Sequence, residues 1–517
     1  MTEATSVSDL LAGPPPEHQA LCAPDAAAPP LSYGALRALA ERTVERLDGL
    51  GIGRNDRVAM VLPNGPEAAA AFLSFASGAT TAPLNPAYRV DEFEFYLRDL
   101  HAAAVVVPAD VESGAREAAA RLGLLVLELR ADRAHGAGAF TLEPAGHARR
   151  RRPARRGLAQ ADEIALLLHT SGTTSRPKLV PLLQRNVVAS ARHIAAALEL
   201  SGRDVCLNLM PLFHVHGLLA ATLASVAAGA RVCCAPGFNA LRFFSWLGEA
   251  QPTWYTAVPT MHQAILARAG RNREALARSR LRLVRSASSS LPPQVMQDLE
   301  ATFHAPVIEA YGMTEAAHQI ASNPLPPRLR RPGTVGLPAG PDVAVVDERG
   351  HLLPPGKIGE VMIRGPNVMP GYESNPVANA RAFVGGWFRT GDQGMRESDR
   401  YLCLSGRIDE IIVRGGEKIS PLEVDFVLMD HPAVQQVVTF PVPHGKLGEE
   451  VAAVVVLREG KAASERELRG FASERLADFK VPRRILIVPE IPRGATGKFQ
   501  RVNLATRLHL VNLQRAS

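Results

Sequence analysis

Short apolar runs alternate with helical patterns between positions 57 and 286. The runs are RVAMVL from position 57, IALLL from 164, VCLNL from 205, TWYTAV from 253 and LRLVRS from 281. An alanine-rich stretch that starts at Pro66 has the composition of a helix. Because strands covered on both faces read as continuous apolar runs, this alternation predicts an α/β body with largely buried sheets.

The pattern changes from about Pro341 onward. Runs such as DVAVVD, GEVMIRG and YLCLSG, separated by Gly and Pro, predict a smaller β-rich subdomain over about residues 341–408, with few helices. Beyond position 416 the patterns predict a helix over 421–430, strands over 434–440 and 451–457, a helix over 465–477 and a strand over 485–488. This cycle is typical of a compact α+β domain.

The length of the chain supports this division. At 517 residues and 55.4 kDa, it exceeds what one hydrophobic core usually organises. The charged segment 406–416 has glycines at its ends, as a linker between moving bodies does. We therefore expect an N-terminal domain over residues 1–408, which includes the β-rich subdomain, and a small mobile C-terminal domain over residues 409–517.

Charge adds one local feature. The 58 Lys and Arg residues exceed the 51 Asp and Glu residues by seven, and six arginines fall within RRRRPARR at 149–156. Because the rest of the chain is close to neutral, it lacks the spread of basic residues that tracks phosphates, and we predict no nucleic-acid partner. The arginine run contains Pro153 and is interpreted as a solvated linker.

Cysteine usage and hydropathy bear on location. The five cysteines form no C-x-x-C pair, which disfavours a disulfide framework and a thiolate metal site. The N-terminus lacks the basic segment and apolar core of a secretory signal. The apolar stretch over 217–230 is shorter than the ~18 residues that a membrane span requires. These features predict a cytoplasmic protein without a membrane span.

Candidate chemistry begins with the segment LLLHTSGTTSRPKLVPL at 166–182, in which every residue over 170–175 carries a hydroxyl group or is glycine. The segment follows an apolar run and precedes a helical pattern that begins near Leu183. Backbone N–H groups and Lys178 are therefore expected to hold a phosphate. It is not a Walker loop, because Pro177 stands where that motif needs its second glycine.

Three later segments supply groups that a nucleotide site needs. YGMTEA at 311–316 sets a hydroxyl and a carboxylate beside an aromatic ring, which suits stacking, phosphate binding and Mg²⁺ binding. FRTGDQG at 388–394 is expected to place Asp392 in a tight glycine turn, where its carboxylate can accept both ribose hydroxyls. PRGATGKFQR places Lys498 among glycines, on a segment suited to moving in and out of a site. Together they predict a nucleotide site.

These motifs, in this order, resemble those of the adenylate-forming superfamily, which includes acyl-CoA synthetases, luciferases and the adenylation domains of peptide synthetases. The resemblance implies a two-step reaction with ATP and CoA as co-substrates and Mg²⁺ as cofactor. A carboxylate attacks the α-phosphorus of ATP to give an acyl adenylate and pyrophosphate, and a thiol then displaces AMP. Because an anion attacks a polyanion, such a site must neutralise and align its substrates.

The resemblance also implies an ATP-binding set around the four motifs. This set is Thr170, Ser171, Gly172, Thr173, Thr174, Lys178, Ser289, Glu309, Ala310, Tyr311, Gly312, Thr314, Asp392 and Arg407. Within it, Tyr311 is expected to flank the adenine and Thr314 to reach the phosphates. Asp392 and Arg407 are expected to bind the ribose.

Further roles follow from the same resemblance. Glu315 is implied as the Mg²⁺ ligand, and Lys498 as the residue that bridges the carboxylate and the α-phosphate. Asp409 matches the superfamily's hinge, where rotation is expected to move Lys498 away and bring the CoA-binding residues to the site. These CoA-binding residues are Arg414, Gly415 and Gly416.

The candidate acid pocket is polar. Its segments are FHVHG at 213–217, RSASSS at 285–290 and AAHQIASN at 316–323, whose hydroxyls and imidazoles suit a second carboxylate or another hydrogen-bonding group. Together with HTSGTTSRPK, PLFHVHGLL, EAYGMTEAAHQIASNPLPP and GGEKISP, they resemble the oxalate CoA ligases in particular, which implies oxalate as the acid. The predicted pocket residues are His214, His216, Ser288, Ser289 and His318. His214 also matches a position that gates the acyl tunnel, and joins Lys498, Thr314 and Glu315 as a catalytic candidate.

Other interpretations stay open. His216 and His318 also fit core packing or helix capping, and Ser288 and Ser289 also fit a turn. Ser290 stands where a smaller residue such as alanine is expected. A short-chain or medium-chain fatty acid or an aryl acid would keep the reaction class, whereas an adenylation unit for a carrier protein or a non-catalytic nucleotide-binding module would not. The oligomeric state stays open between monomer and homodimer.

Overall fold

The structure is a computed structural model that describes residues 4–25, 28–146, 153, 155–170, 177–492, 499, 501 and 504–508. Within these ranges the strands form four β-sheets, three before position 408 and one after it. Parallel strands with helical crossovers dominate the first part, and antiparallel strands dominate the rest. This arrangement confirms the predicted fold class, an α/β body with a β-rich part followed by a small α+β unit.

The first sheet has a parallel core between two antiparallel edge strands. In spatial order its strands are Phe140–Pro144, Leu125–Ala131, Ala104–Pro108, Arg57–Met60, Thr80–Pro83, Ile164–Thr170 and Lys178–Leu183. The strands predicted from positions 57 and 164 are confirmed. The strand Lys178–Leu183 is a correction, because the sequence predicted only a helix near Leu183. Pro181 lies within this strand and donates no ladder hydrogen bond, which suits an edge position.

The second sheet carries the candidate site. In spatial order its strands are Leu337–Pro338, His318–Ser322, Val307–Met313, Leu283–Ala287, Trp254–Ala257, Val205–Asn208, Arg231–Cys234, Gln19–Cys22 and Leu31–Ser32. The strands from Val307–Met313 to Gln19–Cys22 in this order are parallel, whereas His318–Ser322 folds back antiparallel. The parallel strands therefore end at a common edge of the sheet.

Helices flank both sheets. Before position 341 they are Val7–Ala12, Tyr33–Leu50, Pro66–Ala76, Val90–Asp99, Gly114–Leu122, Gln184–Ala197, Ala224–Ala227, Phe243–Ala250, Pro259–Ala269, Arg273–Ala277 and Pro293–Phe303, with 3-10 turns at Arg133–His135 and Thr314–Ala316 and a π-helix at His216–Leu223. The predicted helix from Pro66 starts with proline at its first turn and buries Phe72 and Phe75 in a core shared with both sheets. Within the described residues, no helix has the length and apolar character needed to cross a membrane.

The third sheet is antiparallel. Its strands are Asp342–Val346, Ile358–Arg364, Phe383–Val384, Trp387–Arg396 and Leu402–Arg407, and the helix Pro376–Ala382 lies between the second and third of them in sequence. The predicted turn around Asp392 is wrong, because Asp392 lies inside the strand Trp387–Arg396. The register against the neighbouring strand shifts here, and Gly391 has a φ of 72°. The glycine thus serves a bulge rather than a turn.

The fourth sheet follows position 411. Its strands are Ile412–Arg414, Glu417–Ile419, Val434–His444, Gly448–Leu457 and Arg484–Ile487; its helices are Pro421–Met429, Glu465–Ser473 and Leu504–Arg507, with 3-10 turns at Ile408–Glu410 and Asp478–Lys480. The order of predicted elements over 421–488 is confirmed. The predicted helix end at 477 is wrong, since the helix stops at Ser473 and the chain turns to bury Leu476 before the turn Asp478–Lys480.

Candidate active site

Several of the predicted site residues lie where three parallel strands of the second sheet end. These strands are Trp254–Ala257, Leu283–Ala287 and Val307–Met313, and the carboxyl ends of such strands are where ligands bind in α/β sheets. We use "nucleotide half" for Tyr311, Glu315, Tyr372, Asp392 and Arg407. We use "acid half" for His216, Thr256, Arg285, Ser288 and His318. The two halves are described in turn.

In the nucleotide half, Tyr311 and Asp392 meet across two sheets. The Tyr311 hydroxyl donates a hydrogen bond to Asp392 Oδ2, and both side chains are buried. Burial raises the pKa of Tyr311, and the nearby Asp392 carboxylate raises it further, so the hydroxyl keeps its proton. Burial also raises the pKa of Asp392, against the opposing charge of Arg407. The structure thus joins the predicted adenine and ribose residues.

Arg407 links the predicted ribose site to the predicted hinge. It is paired in register with Asp392, and its Nη1 lies 3.4 Å from Asp392 Oδ1. Its Nε lies 3.6 Å from Oδ1 of Asp409, which is exposed in the turn Ile408–Glu410. Burial opposes the charge of Arg407, but the carboxylates of Asp392 and Asp409 outweigh it and raise the pKa of Arg407. One guanidinium therefore connects the two predicted functions.

Glu315 is held by a tyrosine that the sequence did not single out. The Tyr372 hydroxyl donates to Glu315 Oε1 at 2.8 Å, and both are buried. Burial raises the pKa of Tyr372, and the Glu315 charge adds to this effect. Lys178 Nζ lies 4.7 Å from the centroid of the Tyr372 ring, which brings the predicted phosphate lysine to the predicted metal ligand. The only sequence signal for Tyr372 is its position after a Pro-Gly pair.

The structure describes the two ends of the predicted phosphate loop, Thr170 and Lys178. Thr170 ends the strand before it and pairs in register with Lys178, whose carbonyl accepts a hydrogen bond from Thr170 Oγ1 at 3.5 Å. Thr314 is half-buried at the start of its turn. Five predicted residues lie outside the described residues: Ser171, Gly172, Thr173, Thr174 and Lys498.

Glu309 and Gly312 have structural partners. Glu309 Oε1 accepts a hydrogen bond from the Leu291 N–H at 2.8 Å, and burial raises the pKa of Glu309 to about 8. This residue therefore fastens the loop after Leu283–Ala287 to the next strand. A Cβ at Gly312 would lie 1.5 Å from the His318 carbonyl oxygen, so this hairpin contact requires glycine. Ala310, between them in the strand, is buried.

The acid half is organised around His216, which starts the π-helix and is 2% exposed. Its Nε2 shares a hydrogen bond with Thr256 Oγ1 at 2.6 Å, and its Nδ1 shares one with Ser288 Oγ at 3.0 Å. The His216 and His318 rings pack edge to face with centroids 5.1 Å apart. Ser288 and His318 both have left-handed backbones, with φ values of 77° and 90°. The structure therefore brings three of the five predicted pocket residues together.

The other two predicted pocket residues lie less centrally. His214 is half-buried, with its ring centroid 4.9 Å from that of Phe213. Ser289 is exposed. Thr256 was missed because a threonine within an apolar run reads as an ordinary strand residue.

Arg285 is a residue of the acid half that the sequence analysis did not predict. It lies within the strand Leu283–Ala287 and is 0% exposed. Its Nη2 donates to Gln319 Oε1 at 3.1 Å, whereas its Nε and Nη1 have no hydrogen-bond partner within the described residues. Burial lowers the pKa of Arg285 to about 9, so it is still charged at neutral pH. The sequence signal was a single arginine in the second half of an apolar run.

The predicted CoA residues form a tight hairpin. Gly415 and Gly416, with φ values of 58° and 94°, join the strands Ile412–Arg414 and Glu417–Ile419. A two-residue turn with two positive φ values needs glycine-like residues at both positions. Arg414 Nε contacts Glu450 Oε1 at 2.6 Å. The glycines thus have a local structural reason in addition to the predicted contact with CoA.

Comparisons with known proteins agree with this architecture. The AMP-binding enzyme family matches residues 12–373, and the AMP-binding enzyme C-terminal domain matches residues 423–498. The chain is similar to an oxalate CoA ligase of Arabidopsis thaliana, with 45% identity over 91% of this chain and 92% of the relative. It is similar to an oxalate CoA ligase of Saccharomyces cerevisiae, with 41% identity over 87% of this chain and 86% of the relative. A crystal structure of ATP-bound MatB from Rhodopseudomonas palustris superposes with a TM-score of 0.85 and 28% identity, over 98% of this chain and 99% of that one.

Proposed function

This chain belongs to the AMP-binding enzyme family and is an AMP-forming acid CoA ligase, and we propose that the acid it activates is oxalate. In the first step a carboxylate oxygen of the acid bonds to the α-phosphorus of ATP and pyrophosphate leaves. In the second step the CoA thiol attacks the acyl carbon, a thioester forms and AMP leaves.

The polar character of the acid half carries the choice of oxalate. A fatty or aryl acid needs an apolar cavity, because desolvated polar groups that the substrate leaves unpaired reduce its binding. The acid half instead presents two imidazoles, two hydroxyls and a guanidinium, all buried or half-buried. The similarity to two oxalate CoA ligases over most of the chain supports the same choice.

The nucleotide half supports the binding of ATP. The Tyr311 ring provides a face for adenine, and the Asp392 carboxylate provides acceptors for ribose hydroxyls. Arg407, paired with Asp392, holds that carboxylate in place. Thr170, Lys178 and Thr314 would contact the phosphates, together with the predicted loop residues between Thr170 and Lys178.

The residues around Glu315 fit a magnesium ion. Within the described residues, no cluster of three or more His, Cys, Asp or Glu side chains is placed to hold a metal. Mg²⁺ suits such a site, because it is usually held by one or two carboxylates together with substrate phosphates and water. Glu315, fixed by the Tyr372 hydroxyl, would supply the carboxylate. When bound, the ion neutralises phosphate charge.

Lys498 and the hinge complete the proposal. The Lys498 ammonium would offset the negative charge that builds up when the acid attacks the α-phosphorus. Rotation at Asp409 would then replace Lys498 with the hairpin that carries Arg414, Gly415 and Gly416. The contact between Arg407 and Asp409 is consistent with a hinge coupled to the nucleotide.

Acid-dependent exchange of labelled pyrophosphate into ATP tests the proposed function. Oxalate, malonate, octanoate and 4-coumarate are compared at equal concentration, and release of AMP with CoA is measured in parallel. We expect the strongest exchange with oxalate. A strong signal from octanoate beside none from oxalate would reject the choice of acid, and no exchange with any acid would reject the ligase itself.

Separate half-reactions test Lys498. Lys498→Ala should lower acyl adenylate formation by about 10²-fold or more, because the positive charge acts in that step. The variant should still form the thioester from supplied oxalyl adenylate and CoA. Lys480→Ala is a control in the same part of the chain, since Lys480 pairs with Glu423. An equal loss of both half-reactions in Lys498→Ala would contradict this division of roles.

A further inference from the structure

Arg285 faces the same side of the sheet as His216. Arg285 and Thr256 are direct partners in register on neighbouring parallel strands, so their side chains leave the sheet on the same face. Thr256 uses that face to bond His216. The guanidinium of Arg285 therefore belongs to the same layer as the imidazole of His216.

The side chain of Arg285 also reaches the strand that carries His318. Its Nη2 contacts Gln319, which lies two strands away and directly follows His318. The guanidinium thus crosses the strand Val307–Met313, which ends in the nucleotide half. Arg285 therefore lies between Thr256 of the acid half, its partner in register on one side, and the strand Val307–Met313 on the other.

Among the described residues, no carboxylate pairs with the guanidinium of Arg285. Its Nε and Nη1 lack hydrogen-bond partners within the described residues, and no carboxylate of that part of the chain is among the groups that shift its pKa. Two other shielded arginines are paired with carboxylates: Arg501 contacts Asp425 at 2.6 Å and Arg414 contacts Glu450 at 2.6 Å. A buried cation without an anion is unfavourable, and a carboxylate ligand with matching planar geometry would relieve this.

We propose that Arg285 binds the second carboxylate of the acid substrate and thereby selects dicarboxylates such as oxalate over monocarboxylates of the same size. This inference rests on the proposed function and names the group responsible for its specificity. The second carboxylate keeps both of its oxygens and its charge throughout, while the first carboxylate bonds to phosphorus and pyrophosphate leaves. His216, held between Thr256 and Ser288, borders the same substrate.

Oxamate provides the matched ligand for a test. It has the shape of oxalate, but a neutral amide replaces one carboxylate. Binding of oxalate and of oxamate is measured by calorimetry on the full chain, in the presence of α,β-methylene ATP so that no reaction occurs. The wild-type protein should bind oxalate about 10²-fold more tightly than oxamate, as expected for a charge-assisted contact in a buried site.

Substitution of Arg285 should remove this preference. Arg285→Met should weaken oxalate about 10²-fold and change oxamate little, so that the two ligands bind alike. Arg280→Met, a change of an exposed arginine five positions earlier, should keep the preference. An equal loss of both ligands in Arg285→Met, or an unchanged preference, would overturn the inference.

Two further measurements distinguish other causes from a wrong inference: the first detects a misfolded variant, and the second detects a wrong choice of acid. Binding of the ATP analogue reports whether a variant is folded, and if Arg285→Met fails this check, Arg285→Lys decides. The lysine variant should weaken oxalate more than oxamate, and equal weakening would overturn the inference. If wild-type exchange rejects oxalate, the proposed acid is wrong, and the inference survives only if the protein uses another dicarboxylate; use of monocarboxylates alone rejects it.

Discussion

The two halves of the site balance charge in opposite ways. In the nucleotide half, carboxylates are held by tyrosine hydroxyls: Tyr311 donates to Asp392, and Tyr372 donates to Glu315. In the acid half, the charged group is the guanidinium of Arg285, which no carboxylate of the described residues accompanies. The carboxylates of the nucleotide half suit the ribose hydroxyls and a metal ion, and the guanidinium of the acid half suits a carboxylate. The two halves thus favour ligands of opposite charge: a metal cation beside Glu315, and a small anion beside Arg285.

The halves also differ in what positions them. The acid half comes from the second sheet and the π-helix that begins at His216, so sheet register fixes it. The nucleotide half joins Tyr311 of the second sheet to Asp392 of the third, so the packing of two sheets fixes it. Substitutions in one half should therefore leave the other half intact, and this independence can be measured.

The largest effect on activity is expected from Asp392→Asn. Asparagine keeps the shape but loses the charge, so it accepts ribose hydroxyls less strongly and leaves Arg407 with one fewer counter-charge. We expect kcat/KM for ATP to fall by about 10²-fold to 10³-fold, as for a buried charged hydrogen bond, with binding of oxalate unchanged. Pyrophosphate exchange at varied ATP measures the first quantity, and calorimetry measures the second.

Asp342→Asn is the matched control for this prediction. Asp342 lies in the same sheet and forms an exposed contact with Arg364. This variant should behave as the wild type. A parallel loss of oxalate binding in Asp392→Asn would show that the two halves are not independent.

The sequence was informative where function depends on a motif. Tyr311, Glu315 and Asp392 were predicted because each lies in a short segment with a recognisable order of residue types, and the structure places Tyr311 in contact with Asp392. The fold class was predictable because buried parallel strands produce long apolar runs. The site assignments themselves are still predictions, and Lys498 lies outside the described residues.

The sequence was uninformative where a residue acts only through its neighbours. Arg282 and Arg285 stand in one short run, yet the first is paired with Asp204 and part-exposed, and the second is fully buried. Arg282 lies just before the strand Leu283–Ala287, where it reaches Asp204, whereas Arg285 lies inside the strand, and this difference is a property of tertiary packing. Tyr372 was missed for a similar reason, because its contact with Glu315 spans 57 positions.

A smaller effect, confined to the acid half, is expected from Thr256→Val. This change removes the hydroxyl that bonds His216 Nε2 while keeping the volume of the side chain. His216 then loses its hydrogen bond with Thr256, and we expect KM for oxalate to rise about 10-fold with KM for ATP unchanged, as for one lost buried hydrogen bond. Initial rates of exchange measure both constants.

Thr81→Val serves as the control for Thr256→Val. Thr81 is equally buried in the first sheet, and its hydroxyl has no hydrogen-bond partner within the described residues. Its substitution should not raise KM for oxalate. If Thr256→Val raises both Michaelis constants alike, His216 does not belong to the acid half alone.

The smallest effect on activity is expected from Glu309→Gln. Glu309 is in the predicted ATP-binding set, but its hydrogen bond is to the Leu291 N–H and it belongs to neither half. Its effect should appear in stability instead.

The pKa of Glu309 in the folded protein, about 8, lies above the ordinary value of 4.5. Glu309 therefore favours folding below pH 4.5, and this contribution is lost as pH rises through 8. Glutamine keeps the acceptor and never ionises. The difference in Tm between the variant and the wild type should therefore grow by a few degrees, in favour of the variant, as the pH rises from 5 to 9. Thermal unfolding at both pH values, with exchange activity at pH 7.5, measures this. A constant difference in Tm across that range would mean that Glu309 stays ionised when folded, and the strand that separates the two halves would then carry a buried negative charge.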